Sequence, residues 1–300
     1  ARRVSPRPER TEVPVEVEGR RLTLVNLEKV MYPRTGTTKA EVLDYYARVA
    51  PVLLPALADR AATRIRWPHG TGAESFFEKN VPAGTPSWVR VVTVPTTGSR
   101  SASGREGELR FPVVDSLPTL TWLVNLAALE LHVHQWTVDE EGRPVNPDRM
   151  VIDLDPGEPA GLMECSRVAV LVRERLAGLG LDCWPVTSGS KGIHLYAGLD
   201  RSRTSDEVRD LAKEVAEELE REHPRLVVSQ MTKARRGGRV FLDWSQNVGA
   251  KTTISPYSLR GRDVPTVAAP RTWAEIEEGA EDPLGLEQLR FDEVLVRLAD

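Results

Sequence analysis

Cysteine is nearly missing from this 300-residue chain, with only Cys165 and Cys183 present. Two such residues cannot build a disulfide framework, and their spacing is not that of metal ligands. A reducing, cytoplasmic setting is therefore expected, with both thiols structural. No apolar run approaches the length that crosses a bilayer, so no membrane partner is expected. The N-terminus, Ala1-Arg2-Arg3 followed by proline and glutamate, lacks the apolar segment of a secretory signal. Internal repeats and low-complexity tracts are absent. Overall positive charge is absent too. A net charge of −4 is not that of a protein that simply coats DNA, so any nucleic-acid surface must be a local one. The chain also lacks an initial methionine, which leaves open that it is a piece excised from a longer protein.

What is present fits a globular enzyme of one large domain or two intimate lobes: 40% hydrophobic and 28% charged residues. Basic residues do cluster locally, in Arg235-Arg236-Gly237-Gly238-Arg239, in Arg260-Gly261-Arg262, and at Lys29 with Lys39, while acids gather at 205–222 and 274–282. After a flexible lead-in over residues 1–12, Val15–Glu18 and Leu22–Val25 read as a hairpin. Thr38-x-x-Glu41 is a capping box that opens a helix through about Ala58. Strands are expected at Arg64–Trp67, Trp88–Val94 and Leu109–Val114, with a mobile loop over Thr96–Glu108. An apolar helix is expected at Pro118–Leu131, followed by a strand at His132–Val138.

The second half has a clearer pattern. It reads as strand 150–155, helix 165–179, strands 183–187 and 193–198, helix 204–222 and strand 239–244, with Gln230–Gly238 inserted before the last strand. This is β-α-β-β-α-β, the order of ferredoxin-like and RNA-recognition-like sheets. In such a sheet the first strand is central, flanked by the third and fourth. Side chains alternate along a strand, so Asp153 and Asp155 share a face. His194 and Tyr196 share one on the next strand, as do Arg239, Phe241 and Asp243 on the last. One sheet face is then apolar and helix-covered. The other gathers Asp153, Asp155, Asp243 and His194.

Carboxylates packed this closely repel one another unless a divalent cation lies between them. Three on one sheet face suit two Mg²⁺ or Mn²⁺ ions and phosphoryl transfer from a nucleoside triphosphate. The turn Ser188-Gly189-Ser190-Lys191-Gly192 offers small residues, hydroxyls, approachable backbone N–H groups and a lysine for a triphosphate. Its spacing is not that of a P-loop. Arg260 can add a further phosphate contact.

Asp153-Leu154-Asp155-Pro156-Gly157, the stretch from Thr187 to Leu195, Asp243-Trp244-Ser245-Gln246-Asn247 and the trailing segment from Lys251 to Arg262 resemble the catalytic motifs of one family. This is the polymerase domain of bacterial end-joining DNA ligases, ligase D, and its stand-alone relatives, within the archaeo-eukaryotic primase superfamily. The resemblance runs from about residue 20 to the C-terminus. It implies an α/β (α+β) primase fold in a single domain: an N-terminal lobe at about 13–131, a catalytic sheet unit at about 132–262 and a C-terminal packing segment at about 263–300. It implies that Asp153, Asp155 and Asp243 hold two metals, and that His132, Ser188, Lys191, Gln246 and Arg260 surround the incoming NTP or dNTP. Asn26, Lys29 and Lys39 resemble the pocket for the 5′-phosphate of a downstream DNA strand. The start of a helix at Thr37–Lys39 independently favours an anion there. Phe76 and Phe77 resemble the pair that stacks on DNA bases, beside Lys79, and Arg236 resembles a basic residue facing DNA or nucleotide. His134 is read as structural.

The expected activity is template-directed nucleotide addition at gaps and 3′ overhangs bearing a 5′-phosphate. The resemblance further implies a preference for ribonucleotides and Mn²⁺. Ku and a ligase or nuclease module are implied partners. No Lys-x-Asp-Gly adenylation motif is present, so ligase activity is not expected of this chain. Two other readings remain. A lapsed end-binding module is disfavoured by the three intact acids. A two-metal cyclase or phosphohydrolase would need neither Lys29 and Lys39 nor Phe76 and Phe77.

Overall fold

A computed structural model describes residues 10–95 and 107–299. The chain enters as an antiparallel hairpin of β1 (Glu12–Val17) and β2 (Arg20–Val25). Short strands β3 (Val30–Tyr32) and β4 (Thr37–Thr38) lead into α1 (Lys39–Leu57). Thr38 caps α1 as expected, in a reciprocal box with Glu41. β5 (Ala62–Arg66), β6 (Phe76–Glu78), β7 (Val91–Pro95), β8 (Glu108–Pro112), α2 (Leu117–Asn125) and β9 (Ala128–Val133) complete the first part. Most of the expected Thr96–Glu108 loop lies outside the described residues, as does most of the N-terminal lead-in.

Two expectations here need correction. The apolar helix ends at Asn125 rather than Leu131, and the strand that follows spans Ala128–Val133 rather than His132–Val138. Ala127 takes a left-handed φ of 65°, which breaks the helix. Beyond it Ala128–Leu131 is buried at every position, Glu130 included, and a segment buried on both faces shows no alternation that would separate strand from helix. Phe76 and Phe77 lie on the short strand β6.

The second half follows the expected order: β10 (Arg149–Pro156), α3 (Leu162–Gly178), β11 (Cys183–Thr187), β12 (Ile193–Gly198), α4 (Ser205–Glu222), β13 (Val227–Val228) and β14 (Val240–Asp243). β15 (Thr253–Ile254), β16 (Ala269–Pro270), α5 (Trp273–Glu281) and α6 (Phe291–Ala299) close the chain. The main sheet has the order β13-β14-β10-β12-β11-β16, so β10 is central, flanked by β12 and β14. β13 and β16 extend the sheet at its two edges. Neither was expected, because two-residue strands carry no periodic signal. The inserted segment holds one 3₁₀ turn at Lys233–Arg235.

Parity sets the two sheet faces. Ile152, Leu154, Ile193, Leu195, Val240 and Leu242 bury against α3 and α4 in one apolar core. From α4, Val208, Ala212, Val215 and Leu219 enter it. The opposite face carries Val151 and Tyr196, packed with Ile254 and Ala268. A second core joins α1, α2, β5 and β9 to Leu259, Val267 and Val294 from the C-terminal part. There a four-stranded sheet runs β15-β9-β5-β6. β15 thus ties the segment after β14 to β9. No helix among the described residues is long and apolar enough to cross a membrane.

Candidate active site and DNA-end cleft

Register brings the three acids together. Asp153 lies opposite Asp243 on β14 and opposite His194 on β12. Asp155 is two residues further along the same face, opposite Phe241. Each carboxylate has a different neighbour. Asp153 Oδ1 is 3.4 Å from His194 Nε2. Asp155 Oδ2 accepts from Arg236 Nη1 at 3.0 Å. Asp243 accepts from the Ser245 N–H at 2.9 Å, from its hydroxyl, and from Gln246 Nε2 at 3.0 Å. Burial, then the neighbouring Asp153, pushes the Asp155 carboxyl above its usual range, against the pull of Arg236 and Lys191. As placed, no three Asp, Glu, His or Cys side chains among the described residues converge into a group that would hold an ion. The donor set nevertheless suits a hard divalent cation: oxygen-only ligands on one face, whose mutual repulsion such a cation would relieve.

Beside the acids, Ser188 and Gly192 close the turn with a Ser188 N–H to Gly192 carbonyl bond of 3.0 Å. The Ser188 hydroxyl accepts from Ser190 N–H and Gly192 N–H, both at 3.2 Å. The Gly189 N–H donates to Gln288 Oε1 at 2.6 Å. These three amides already have acceptors, so they are not open to a triphosphate as the sequence suggested. What the turn presents is the exposed Lys191, whose Nζ is 3.6 Å from Glu158. Two glycines are required for close approach. A side chain at Gly189 (φ 70°) would meet Arg260 Cγ at 2.6 Å, and one at Gly192 would collide with the Leu154 carbonyl.

His132 and Arg260 meet through a residue the sequence reading missed. Glu130, buried on β9, is 2.7 Å from His132 Nε2, lies 3.6 Å from Arg260 Nε, and accepts from Gly261 N–H at 2.8 Å. Burial pushes its carboxyl up, but the His132 hydrogen bond, the Arg260 charge and the Gly261 N–H outweigh it, and it lies below its usual range. Burial also lowers Arg260. The signal for Glu130 was a glutamate in an otherwise apolar strand, which must be partnered. Asn247, in the third motif, is structural. Its side chain accepts from Val151 N–H at 2.9 Å and donates to Val151 carbonyl at 2.7 Å, pairing the backbone of β10 where β14 ends.

Arg236 sits over the Phe241 ring, its guanidinium carbon 3.9 Å from the centroid, and also donates to Met231 carbonyl at 2.8 Å. Buried His134 stacks on Trp136 at 4.2 Å, and burial lowers it to about 4.

A separate cleft of about 320 Å³ is lined by Asn26, Lys29 and Lys39, together with Arg10, Arg66 and Asn125. Lys39 is only 5% exposed. Its Nζ donates to Val25 carbonyl at 2.7 Å, and Lys29 Nζ donates to Pro68 carbonyl. Burial first, then the charges of Lys29, Arg10 and Arg66, lower Lys39 to about 8. The start of α1 contributes no free amide. Lys39 N–H donates to Lys29 carbonyl, Ala40 N–H to Leu27 carbonyl and Glu41 N–H to the Thr38 hydroxyl. The expectation of an anion held by the helix terminus is thereby corrected, and the positive field comes from side chains. Asn26 holds a left-handed φ of 52° and accepts from Thr11 N–H at 3.2 Å. Phe76 and Phe77, on edge strand β6, are 45% and 57% exposed, so neither is a core ring. Lys79 Nζ is 5.9 Å from the Phe77 centroid.

Residues 38–300 match the family model described as the LigD primase-polymerase domain. Sequence identity is 51% over 284 residues with the multifunctional non-homologous end joining DNA repair protein LigD of Mycobacterium tuberculosis, covering 93% of this chain and 36% of that protein. It is 34% over 258 residues with the bifunctional non-homologous end joining protein LigD of Bacillus subtilis, covering 86% and 40%. The chain therefore spans little more than a third of these relatives. Among solved structures, the polymerase domain of Mycobacterium tuberculosis ligase D in complex with DNA superposes with a TM-score of 0.85 at 49% identity, covering 93% of this chain and 94% of that one.

Proposed function

Because the chain belongs to the LigD primase-polymerase family, we propose that it is a DNA-dependent nucleotidyltransferase that fills short gaps and extends 3′ ends during bacterial end joining. The observation that carries this reading is the register of Asp153 against Asp243, with Asp155 on the same face. Two divalent cations, Mn²⁺ or Mg²⁺, held by these carboxylates would supply an activated primer hydroxyl and a neutralised pyrophosphate leaving group. Arg260, Lys191 and the Ser188 hydroxyl bind the triphosphate of the incoming NTP or dNTP, with His132 and Gln246 beside it. Arg236 balances the charge of Asp155 until nucleotide binds. The basic cleft of Asn26, Lys29 and Lys39 takes the 5′-phosphate of the downstream strand, and Phe76 and Phe77, with Lys79, stack on bases near the gap. Ribonucleotides are the preferred substrate in this reading, and Ku with a ligase or nuclease module are the partners. Action on DNA places the chain in the cytoplasm, at the nucleoid. The chain works as a single polymerase unit, its N-terminal lobe and catalytic sheet joined by the C-terminal segment. The opposing reading is an end-binding module without catalysis.

The test is extension across a one-nucleotide gap bearing a 5′-phosphate, with Mn²⁺ and either ribo- or deoxyribonucleotides. Asp155→Ala should abolish addition and leave DNA binding largely intact. Synthesis that persists in that variant refutes the acidic-site assignment. Binding without synthesis in the wild type favours the end-binding module.

A further inference from the structure

Arg66 stands at two places at once. It lines the basic cleft with Lys29 and Lys39, and its Nη1 pairs with Glu78 Oε1 at 2.5 Å. Glu78 is the last residue of β6, the three-residue strand that carries Phe76 and Phe77. β6 is held at the sheet edge by one neighbour, β5, in the register Arg64↔Glu78, Ile65↔Phe77 and Arg66↔Phe76. Glu78 is shared, since its Oε2 accepts from Arg64 Nη2 at 3.3 Å. Arg64 is not free to follow a ligand. It is 1% exposed and also donates to Lys79 carbonyl at 3.1 Å and Asn80 carbonyl at 2.8 Å. Arg66 is 22% exposed, and its other described anchor is the Nε bond to Leu126 carbonyl at 2.5 Å.

We infer that the Arg66–Glu78 pair couples the DNA end to the stacking strand, an inference that rests on the reading of the cleft as a 5′-phosphate site. A phosphate in the cleft is a stronger partner for a guanidinium than one shared carboxylate, because it offers more acceptor oxygens and a larger charge. Arg66 therefore turns part of its hydrogen bonding toward the phosphate and relaxes its hold on Glu78. That hold is one of the two ion pairs described for Glu78, at the end of a three-residue edge strand. Phe76 and Phe77 then settle on the bases at the gap. Lys29 and Lys39 supply the affinity for the phosphate, and Arg66 is the positioning residue that reports it to the aromatic pair. By linkage the effect is reciprocal: whatever weakens the Glu78 pair makes Arg66 more available and raises the preference for a phosphorylated end.

The test uses the whole chain with gapped DNA carrying 5′-phosphate or 5′-hydroxyl and 2-aminopurine at the template base beside the gap. Affinity and base stacking are read from the same titration, affinity by anisotropy and stacking by fluorescence quenching. In the wild type, the phosphate should deepen the quenching at saturating protein. Glu78→Gln should raise the affinity ratio of phosphate over hydroxyl about fivefold or more, the lower end of the range typical of coupling between sites, and give the same quenching with either end. Arg66→Gln should lower the ratio and also make quenching insensitive to the end. Glu78→Gln keeps the shape of the side chain, so it remains informative if Arg66→Gln fails to fold. Phosphate-dependent quenching that survives in Glu78→Gln overturns the coupling. If Lys29→Ala with Lys39→Ala abolishes the ratio while Glu78→Gln and Arg66→Gln leave ratio and quenching unchanged, the coupling falls and the phosphate site stands. If the double lysine variant leaves the ratio intact, the reading of the cleft fails, and the coupling with it.

Discussion

Replacing Lys39 by methionine should separate stability from function in one residue. A lysine brought from 10.5 to about 8 has its charged form destabilised by roughly 3 kcal/mol relative to water at neutral pH. Methionine has nearly the same length and carries no charge, so Lys39→Met removes that cost. It also removes the charge-assisted bond to the Val25 carbonyl, which contributes about 1.5–3 kcal/mol. The two nearly cancel. The fold should be unchanged or stabilised by up to about 2 kcal/mol, although a buried hydrogen-bonding side chain has been deleted. Above pH 8 the comparison changes in a defined direction. Between about 8 and 10.5 the unfolded chain still holds the Lys39 proton that the folded chain has released, so wild-type stability rises with pH in that window relative to the variant. Binding of a 5′-phosphorylated gap should lose its phosphate preference about tenfold or more at pH 7. In the wild type that preference should fall as pH passes through 8, because the lysine must then be charged at the expense of binding. Urea denaturation at pH 7 and pH 9.5, with anisotropy titrations of phosphorylated and unphosphorylated gaps, gives all four quantities. A loss of more than about 2 kcal/mol at pH 7, together with an unchanged phosphate preference, would refute the reasoning, since Lys39 would then be a structural cation only.

Three other outcomes are expected. Glu130→Gln keeps a polar group beside Gly261 but removes the charge facing His132 and Arg260. KM for the nucleotide should rise about tenfold with a smaller change in kcat, and equal KM in variant and wild type would remove Glu130 from nucleotide positioning. Phe76→Ala and Phe77→Ala should each weaken binding of gapped DNA by roughly 1–3 kcal/mol while leaving thermal stability nearly unchanged, because both rings are exposed; calorimetry and anisotropy check the pair, and a loss of stability without loss of binding would mean the rings pack internally. Gly192→Ala should destabilise the fold by at least about 3 kcal/mol, since the new methyl would press on the carbonyl of the central strand; a denaturation midpoint close to wild type would show that the turn can move.

Much of the fold was legible because period-2 and period-3.6 patterns are local. The parity of Asp153, Asp155, His194 and Asp243 followed from alternation alone, and the register Asp153↔Asp243 and Asp153↔His194 agrees with it. The capping box at Thr38 marked the start of α1 within a residue. The boundary between α2 and β9 was not legible, because β9 is buried on both faces and so shows no alternation to read. The two-residue strands β13, β15 and β16 were missed for the related reason that their pairing is decided by distant partners.

The sequence by itself determined which residues share a face, which turns need glycine, and which acids must be partnered if buried. Those properties depend on neighbours a few positions away. Only the tertiary structure decided that Glu130 joins His132 to Arg260 across more than a hundred residues. Only it decided that the Ser188, Gly189, Ser190 and Gly192 amides and those at the start of α1 are already engaged, and that Arg66 reaches both a basic cleft and Glu78. Hydrogen-bond satisfaction and pKa depend on what packs around a group, and packing brings together segments with no relation in sequence.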